Sequence, residues 1–225
     1  FNTRPLAAWL FIMNVLMVIE RYTPIWGGAE NQLRQLIPHL ENCGCKIKVV
    51  TRRWHKRLHE KEVIDGVEVA RIGIPGTGIF STVIFIHSLI IYIIKNHNKI
   101  DFLHSHGAVN MGALCSLMAM IFNFSNVAKI ATAGKVLDLR NKFSGRLILW
   151  FLKRSDAIIA MTEEIEQELK AIGTPIEKIF KITNGVDTKR FRPSDKIERD
   201  NWRNYHGVSE NRRVVLFSSR LVYRK

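Results

Sequence analysis

Cysteine is scarce in this sequence, and the few cysteines present do not form a metal-binding pattern. The 225 residues include three cysteines: Cys43 and Cys45, which flank a glycine, and Cys115, which stands alone. Because no second pair exists to complete a tetrahedral zinc site, we expect no metal. The odd count also argues against a disulfide framework. It favours a reducing, cytoplasmic setting, with the first two thiols incidental to a helix-to-strand turn.

Acidic residues are also in short supply. The chain has 20 aspartates and glutamates against 34 lysines and arginines, a net charge of +14. This surplus predicts an anionic partner, which could be a phosphorylated small molecule, a membrane surface or nucleic acid. The sequence lacks the regular interleaving of aromatic and basic residues that stacks bases, so nucleic acid is the least favoured of the three.

One basic cluster has the composition of a membrane-surface helix. It surrounds the apolar residues 147–152, and its members are Arg140, Lys142, Arg146, Lys153 and Arg154. A basic amphipathic combination of this kind suits an anionic membrane. The alternative is a helix that packs against the core and has solvated basic ends, which is the commoner arrangement for a run of charges.

The sequence also lacks an Ala-x-Ala cleavage site after the apolar residues 6–19, although this stretch has the length of a signal-peptide core. Since residues 14–19 fit a first core strand, we expect residues 1–12 to be a leader or non-native extension, with the native start near Met13. The longer apolar stretch at residues 79–94 falls short of the ~20 residues of a membrane span. We predict that it forms a buried core helix.

Apolar strands alternate with helical stretches along the chain, which predicts an α/β fold with a Rossmann-like, doubly wound and mostly parallel sheet. The predicted strands are residues 14–19, 46–51, 67–72, 100–104, 127–132, 156–161, 179–182 and 214–217. Asp65 and Gly66 lie between two β-branched segments and predict the one antiparallel hairpin.

Two helices carry boundary signals. Thr162 is a good N-cap, two glutamates follow it in the first turn, and Gly173 is a stop signal. The second predicted helix covers residues 29–40, and Pro38 should kink or tighten its last turn.

Paired glycines follow the first strand. Gly27 and Gly28 precede the helix at residues 29–40, where small residues let a phosphate approach the backbone and the free N–H groups. The dinucleotide fingerprint G-x-G-x-x-G is absent, and the second strand ends in Thr51, Arg52 and Arg53 rather than an acid. An NADP-dependent reductase that uses Arg52 is therefore a weak alternative.

Polar residues follow two later strands, at the sheet edge where open α/β folds bind ligands. His104 and His106 lie on the same side of an extended chain and are candidates for paired groups at a cleft. Lys135 and Asp138 follow the fifth strand in a polar loop and are further cleft candidates. The alternatives are structural histidines and an ordinary solvated loop.

The last seventy residues carry the most specific pattern. A buried strand and a capped helix lead to Asn184-Gly185-Val186-Asp187, then to Phe191-Arg192-Pro193, and finally to an apolar strand that delivers Arg220 and Lys225. This series resembles the crossover between the two domains of a retaining GT-B glycosyltransferase of the family 4 type.

The resemblance implies a role for several residues. Arg220 and Lys225 would grip the diphosphate of the donor, and Gly27 and Gly28 would face the sugar nucleotide across the cleft. His106 would be the catalytic candidate nearest the acceptor. His104, Lys135, Asp138, Asn184 and Gly185 would complete the acceptor side or the cleft. Relatives often have a histidine where this chain has Ala133 and Gly134, so the polar group at that point differs here.

The resemblance also implies domains and a reaction. Residues 13–194 would form the Rossmann-like acceptor-side domain, and residues 195–225 an interdomain segment and the first strand of a nucleotide-sugar-binding domain. The enzyme would transfer a sugar, with retention, from a UDP- or GDP-linked donor to a glycan or lipid-linked acceptor, as in cell-envelope polysaccharide synthesis. No cofactor is implied, and the location would be cytoplasmic, with peripheral contact to an anionic membrane. The alternative is a non-catalytic basic module that binds such a membrane or an anionic glycan.

Overall fold

The computed structural model describes residues 12–25 and 27–217. The strands in this part of the chain are β1 (Met13–Ile19), β2 (Cys45–Arg52), β3 (Lys61–Ile64), β4 (Val67–Ile72), β5 (Phe102–Gly107), β6 (Ser125–Ile130), β7 (Ala157–Ala160) and β8 (Ile179–Lys181). The helices there are α1 (Gly28–Asn42), α2 (Ile79–Asn96), α3 (Val109–Phe122), α4 (Lys135–Arg140), α5 (Phe143–Leu152), α6 (Glu163–Ala171) and α7 (Lys196–Tyr205).

The strands form one sheet in the order β3-β4-β2-β1-β5-β6-β7-β8. Every neighbouring pair is parallel except β3 and β4, which are antiparallel. The predicted α/β, Rossmann-like fold is therefore confirmed. The strand order reverses at β1, which lies between β2 and β5, and a ligand crevice forms at such a switch point in open α/β sheets.

Local signals set several turns as predicted. Asp65 and Gly66 both have positive φ, 51° and 84°, as the hairpin turn between β3 and β4 requires. Thr162 accepts a hydrogen bond from the N–H of Ile165 at 3.3 Å and caps α6. Gly173, with φ of 75°, follows the end of that helix.

Helix α1 extends beyond its predicted end. It continues past Pro38 to Asn42, because a proline near the end of a helix removes only one hydrogen bond that other contacts can offset. The predicted tightening is present in the final turn, where the N–H of Cys43 donates to the carbonyl of Leu40 at 3.0 Å. The chain then turns at Gly44 into β2, as expected for these cysteines.

Helix α2 is buried on one face only. Ser81, Phe85, Leu89 and Ile93 pack into the core, whereas the opposite face exposes five apolar side chains: Ile79, Phe80, Val83, Ile91 and Ile94. The prediction of a core helix is confirmed for the first face and wrong for the second. By length and apolarity alone, Ile79–Lys99 could cross a membrane, but the buried face ties α2 to the sheet.

Two central strands are displaced from their predicted bounds. β5 begins two residues later than predicted and ends at Gly107, so His106 lies inside it. β6 begins at Ser125 and ends at Ile130 rather than at residue 132. Polar residues can enter β6 because the amide of Asn126 bonds to the hydroxyl of Ser155 at 3.2 Å, which satisfies a buried polar group.

The contact pattern divides the chain into two compact units, one ending at Asn184 and the other beginning at Gly185. In the second unit, Asp195 and Glu198 form a reciprocal capping box at the start of α7. Helix α7 lies in the predicted interdomain segment and was not itself predicted, although a capping box is readable from sequence. The predicted domain boundary at residue 194 remains a prediction.

The prediction of a strand at residues 214–217 is wrong for the described part of the chain. These residues have no regular structure, and Val215, Leu216 and Phe217 are more than four-fifths exposed. A strand needs a neighbour to pair its backbone groups. Among the described residues no strand pairs with this segment.

Candidate functional site

The candidate site lies at the carboxyl edge of the parallel strands. The loops after β1, β5 and β6 emerge at this edge, as does the segment after β8 that ends at Asn184. Open α/β sheets bind ligands here because strand ends and helix N-termini bring exposed backbone groups together.

The structure brings His104 and His106 together on β5. Their ring centroids are 5.7 Å apart, and the side chains are 7% and 3% exposed. Among the described residues, Nε2 of His104 and Nδ1 of His106 have no hydrogen-bond partner. The predicted pairing is present, but both rings are buried in the sheet face rather than open to a cleft.

Burial keeps both imidazoles neutral. Loss of hydration, with a smaller contribution from the charge of nearby Lys129, lowers the pKa of His104 from its usual 6.5 to about 4. Burial, together with His104 and Lys129, lowers the pKa of His106 to about 3. A neutral imidazole has one donor and one acceptor nitrogen. At neutral pH the two uncharged rings can orient other groups by hydrogen bonding. They lack the imidazolium proton and therefore cannot act as general acids.

Lys129 is a site residue that sequence reasoning missed. It lies opposite His106 in the register of β5 and β6, is 4% exposed, and donates from Nζ to Oδ1 of Asn184 at 2.8 Å. Burial lowers the pKa of this amine. The signal in the sequence was a lysine between Ala128 and Ile130 in a predicted strand, and a buried lysine is unusual unless the charge has a use.

A cavity of about 360 Å³ opens beside the end of β5. Its lining comprises Gly107, Ala108, Val109, Asn110, Thr132, Lys135, Asp138, Leu139 and Lys142. The predicted pair Lys135 and Asp138 meets here, with Nζ and Oδ2 3.5 Å apart and both side chains about two-thirds exposed. The N-terminus of α3 forms one wall, and its free N–H groups favour an anion.

Glu168 holds the loop that carries Lys135 and Asp138. Its buried carboxylate accepts hydrogen bonds from the N–H groups of Gly134, of Val136 at 3.1 Å and of Leu137 at 3.4 Å. A carboxylate at this point complements the N-terminus of α4. Sequence reasoning missed this residue, because it lies in α6 and its partners are more than thirty residues away.

The glycine loop lies at the end of β1. Gly27 is the N-cap of α1 and Gly28 is its first residue. A side chain added at Gly28 would meet nothing within 4 Å, whereas one at Gly27 would meet the carboxylate of Glu30. The backbone at Gly28 is therefore open to a ligand, which is compatible with the predicted donor contact.

Arg52 is not available to bind a cofactor. Its side chain is 2% exposed, lies over the ring of Trp54, and donates to Thr82 at 3.0 Å and to the carbonyl of Gly76 at 2.9 Å. Because its donors are used within the protein, the NADP alternative loses the residue on which it depended. The predicted diphosphate ligands Arg220 and Lys225 lie outside the described residues.

Comparison with known proteins decides the family. The model of "Glycosyltransferase Family 4" matches residues 26–190, about three-quarters of the chain. The chain belongs to glycosyltransferase family 4. Two curated relatives are the phosphatidylinositol N-acetylglucosaminyltransferase subunits A of Arabidopsis thaliana and Homo sapiens, 24% and 25% identical over 217 residues. The matches cover 95% and 94% of this chain but only 46% and 42% of the relatives, so the chain spans less than half their length.

Solved structures show the same fold. Sucrose-phosphate synthase from Thermosynechococcus elongatus aligns with a TM-score of 0.66 at 16% identity, over 88% of this chain and 53% of that protein. HepE from Anabaena, solved with UDP and glucose, aligns with a TM-score of 0.59 at 14% identity, over 87% and 50%. The family-4 chain therefore has the Rossmann-like fold of one half of a GT-B glycosyltransferase, as its sequence predicted.

Proposed function

We propose that the whole protein transfers a sugar from a nucleotide-sugar donor to a lipid acceptor that carries a phosphate. The observation that carries the proposal is the 360 Å³ cavity at the carboxyl edge of a family 4 fold, where Lys135 and Lys142 meet the N-terminus of α3. A cavity of this size suits a small polar headgroup. The two curated relatives act, by their names, on phosphatidylinositol, which supports a lipid over a free glycan.

Charge favours an anionic acceptor group. Two lysines line the cavity against one carboxylate, that of Asp138, and the helix N-terminus adds partial positive charge. Ammonium groups and backbone N–H groups both bind phosphate oxygens well. The cavity thus fits the phosphate of a lipid headgroup better than a neutral sugar.

His106 would position the acceptor indirectly, through the end of β5 that lines the cavity. It directly precedes Gly107, whose backbone lines the cavity, and its neutral ring can fix that strand end by hydrogen bonding. His104 and Asn184 would complete the same edge.

Donor binding would involve both the glycine loop and the cations further along the chain. The open backbone at Gly28 can approach a sugar nucleotide closely. Arg220 and Lys225 would hold the diphosphate of a UDP- or GDP-linked sugar and stabilise the charge that develops as the nucleotide leaves. Transfer with retention would then depend on positioning and on this electrostatic stabilisation, without a metal or cofactor.

Helix α5 supports peripheral contact with an anionic membrane from the cytoplasmic side. Phe143, Leu147 and Trp150 follow one another at helical spacing and are 94%, 59% and 42% exposed. The guanidinium of Arg154 lies over the ring of Trp150. The alternative of a purely core-facing helix is therefore wrong for this face, although Leu149 and Leu152 are buried on the other. The face begins beside Lys142, which lines the cavity.

The surrounding sequence has the charge for such a surface. Residues 72–155 contain two acidic residues, Asp101 and Asp138, against nine lysines and arginines. The outer face of α2 adds further exposed apolar side chains. Apolar groups flanked by cations, with few anions nearby, are the composition that binds anionic bilayers.

The transfer proposal is tested with the whole protein, radiolabelled UDP- and GDP-sugars, and three acceptors: phosphatidylinositol, a polyisoprenyl phosphate and a neutral oligosaccharide. Replacing Lys135 and Lys142 with methionine should raise KM for a phospholipid acceptor tenfold or more. Lys99→Met, at an exposed lysine outside the cavity, should leave KM unchanged. Preference for the neutral acceptor, or equal KM in all variants, would reject the anionic acceptor.

The membrane proposal is tested by sedimentation with vesicles of phosphatidylcholine alone or with phosphatidylserine. Phe143→Ser and Trp150→Ser should release the protein from the anionic vesicles. Val63→Ser, at a similarly exposed apolar residue on β3, should not. Binding without transfer to any acceptor would instead favour the non-catalytic alternative.

A further inference from the structure

The bond between Lys129 and Asn184 ties the end of the first compact unit to its sheet. β8 ends at Lys181, and the N–H of Ile182 still donates to the carbonyl of Ala160 at 3.0 Å. Beyond that residue, within the described chain, the Lys129 ammonium makes the only hydrogen bond between residues 183–184 and the sheet. The position of Asn184 therefore depends on a side chain 55 residues earlier in the sequence.

The surroundings of Lys129 are unfavourable for a charged ammonium group. The residue is 4% exposed, and among the described residues it forms no ion pair with a carboxylate. Its charge lowers the pKa of the neighbouring imidazoles of His104 and His106. A buried ammonium without a counter-charge costs free energy that an apolar residue of similar length would not. A methionine would pack equally well in β6, so the structure gives no packing reason for a lysine.

We propose that Lys129 is a positioning residue for transfer: its ammonium fixes the segment at Asn184 to the cleft edge of the sheet, beside the two histidines. This inference rests on the proposed function for its link to transfer, but the anchoring itself does not. A strand in the middle of a sheet is among the most rigid parts of a fold. An anchor on β6 therefore places the segment at Asn184 more accurately than contacts within that segment itself.

The two histidines support the same role. Lys129 adds to the burial that lowers the pKa of both imidazoles, so the cleft edge holds one ammonium and two neutral rings. The ammonium is directed at an amide oxygen, and each imidazole beside it has one buried nitrogen without a hydrogen-bond partner.

Anchoring is measured directly by NMR relaxation in the 225-residue chain. In Lys129→Met, the backbone order parameters of residues 183–186 should fall from rigid values of about 0.85 toward 0.6. Asn184→Ala removes the same bond from the exposed side, so it tests the anchor even if the buried substitution prevents folding. The control is Lys178→Met, which removes a lysine that bonds to the carbonyl of Ser155 at 3.0 Å, away from this edge. Unchanged order parameters in both Lys129→Met and Asn184→Ala would overturn the proposal.

The link to transfer is measured in the whole protein. Lys129→Met and Asn184→Ala should each lower kcat about tenfold with little change in KM for the donor, whereas Lys178→Met should match the wild type. If the segment at Asn184 becomes mobile and kcat is unchanged, Lys129 is an anchor without a role in positioning for transfer, and the proposal fails. If the wild type transfers no sugar while the order parameters at Asn184 still fall in the variants, the proposed function fails and the anchor stands.

Discussion

Buried cations have different kinds of partner in the two halves of the sheet. On the β2–β4 side, Arg71 pairs with Glu62 and donates to the carbonyl of Thr23, and Arg52 bonds to carbonyls and hydroxyls around it. On the β5–β6 side, Lys129 has an amide as its partner, and the two histidines beside it keep nitrogens without partners. Buried polar groups are normally satisfied. The contrast lies in the groups around each cation: Arg52 leaves only its Nε without a partner, whereas Lys129 lies beside two imidazoles that each leave a nitrogen without one. We therefore expect the two arginines to hold the fold and Lys129 to serve function.

Stability should show the largest difference between the two halves. Arg52→Met removes the hydrogen bonds that this buried side chain donates and leaves the carbonyl of Gly76 without its donor, so it should lower the free energy of unfolding by about 3–5 kcal/mol. Lys129→Met removes a buried charge and should change it by less than about 1 kcal/mol. Urea titration of the two variants gives both values. Equal losses would mean that Lys129 is as structural as Arg52, and the contrast would fail.

The next largest effect concerns cations predicted to act on the leaving nucleotide. Arg220→Ala or Lys225→Ala in the whole protein should reduce kcat by roughly two to three orders of magnitude, the scale for removal of a transition-state electrostatic donor. Arg220→Lys should remain impaired, because an ammonium cannot reproduce the bidentate geometry of a guanidinium. Steady-state kinetics measure the effect, and circular dichroism checks the fold. Near-normal turnover in both alanine variants would refute the diphosphate assignment.

The neutral histidines predict a loss of stability in acid. Both have a folded-state pKa below the usual 6.5, about 4 for His104 and about 3 for His106, so the unfolded chain binds protons first as the pH falls. Their contribution to the free energy of unfolding is fully present above pH 6.5 and is lost progressively as the pH falls from there to about 3.

Urea unfolding at several pH values tests this dependence. A double variant with glutamine at positions 104 and 106 should lose less stability between pH 6.5 and 4 than the wild type, since glutamine does not titrate. The difference between the two curves isolates the histidines from the other titrating groups. Parallel curves would show that the two rings titrate in the folded protein as they do in the unfolded chain, and the low pKa values would be refuted.

Much of the fold was predictable because its signals are local. The β-strands are apolar runs, and the hairpin at Asp65 and the cap at Thr162 each depend on a few adjacent residues. The bond from Lys129 to Asn184 is different, because it requires the register of three neighbouring strands. The caps that Glu168 provides for α4 depend in the same way on two elements that meet only in the folded chain.

Helix α2 shows a second limit of sequence reasoning. Its residues are apolar on every side, so periodicity cannot indicate which face packs against the sheet. The structure buries Phe85 and Leu89 and exposes Val83 and Ile91. By contrast, His104 and His106 were predictable as a pair, since alternation in a strand fixes their common side. Their burial was not, because it depends on what covers that face.

The smallest predicted effect tests whether the histidines belong to the functional half at all. His106→Ala in the whole protein should lower transfer about tenfold, equivalent to about 1.4 kcal/mol in the barrier. The physical reason is that the ring fixes the strand end at Gly107, which lines the cavity, and truncation would let that wall relax. The effect should appear in kcat/KM for the acceptor while KM for the donor stays constant. His39→Ala, at an exposed histidine of α1, is the control. If His106→Ala lowers stability but leaves kinetics unchanged, His106 is a structural residue, and the functional half of the contrast reduces to Lys129.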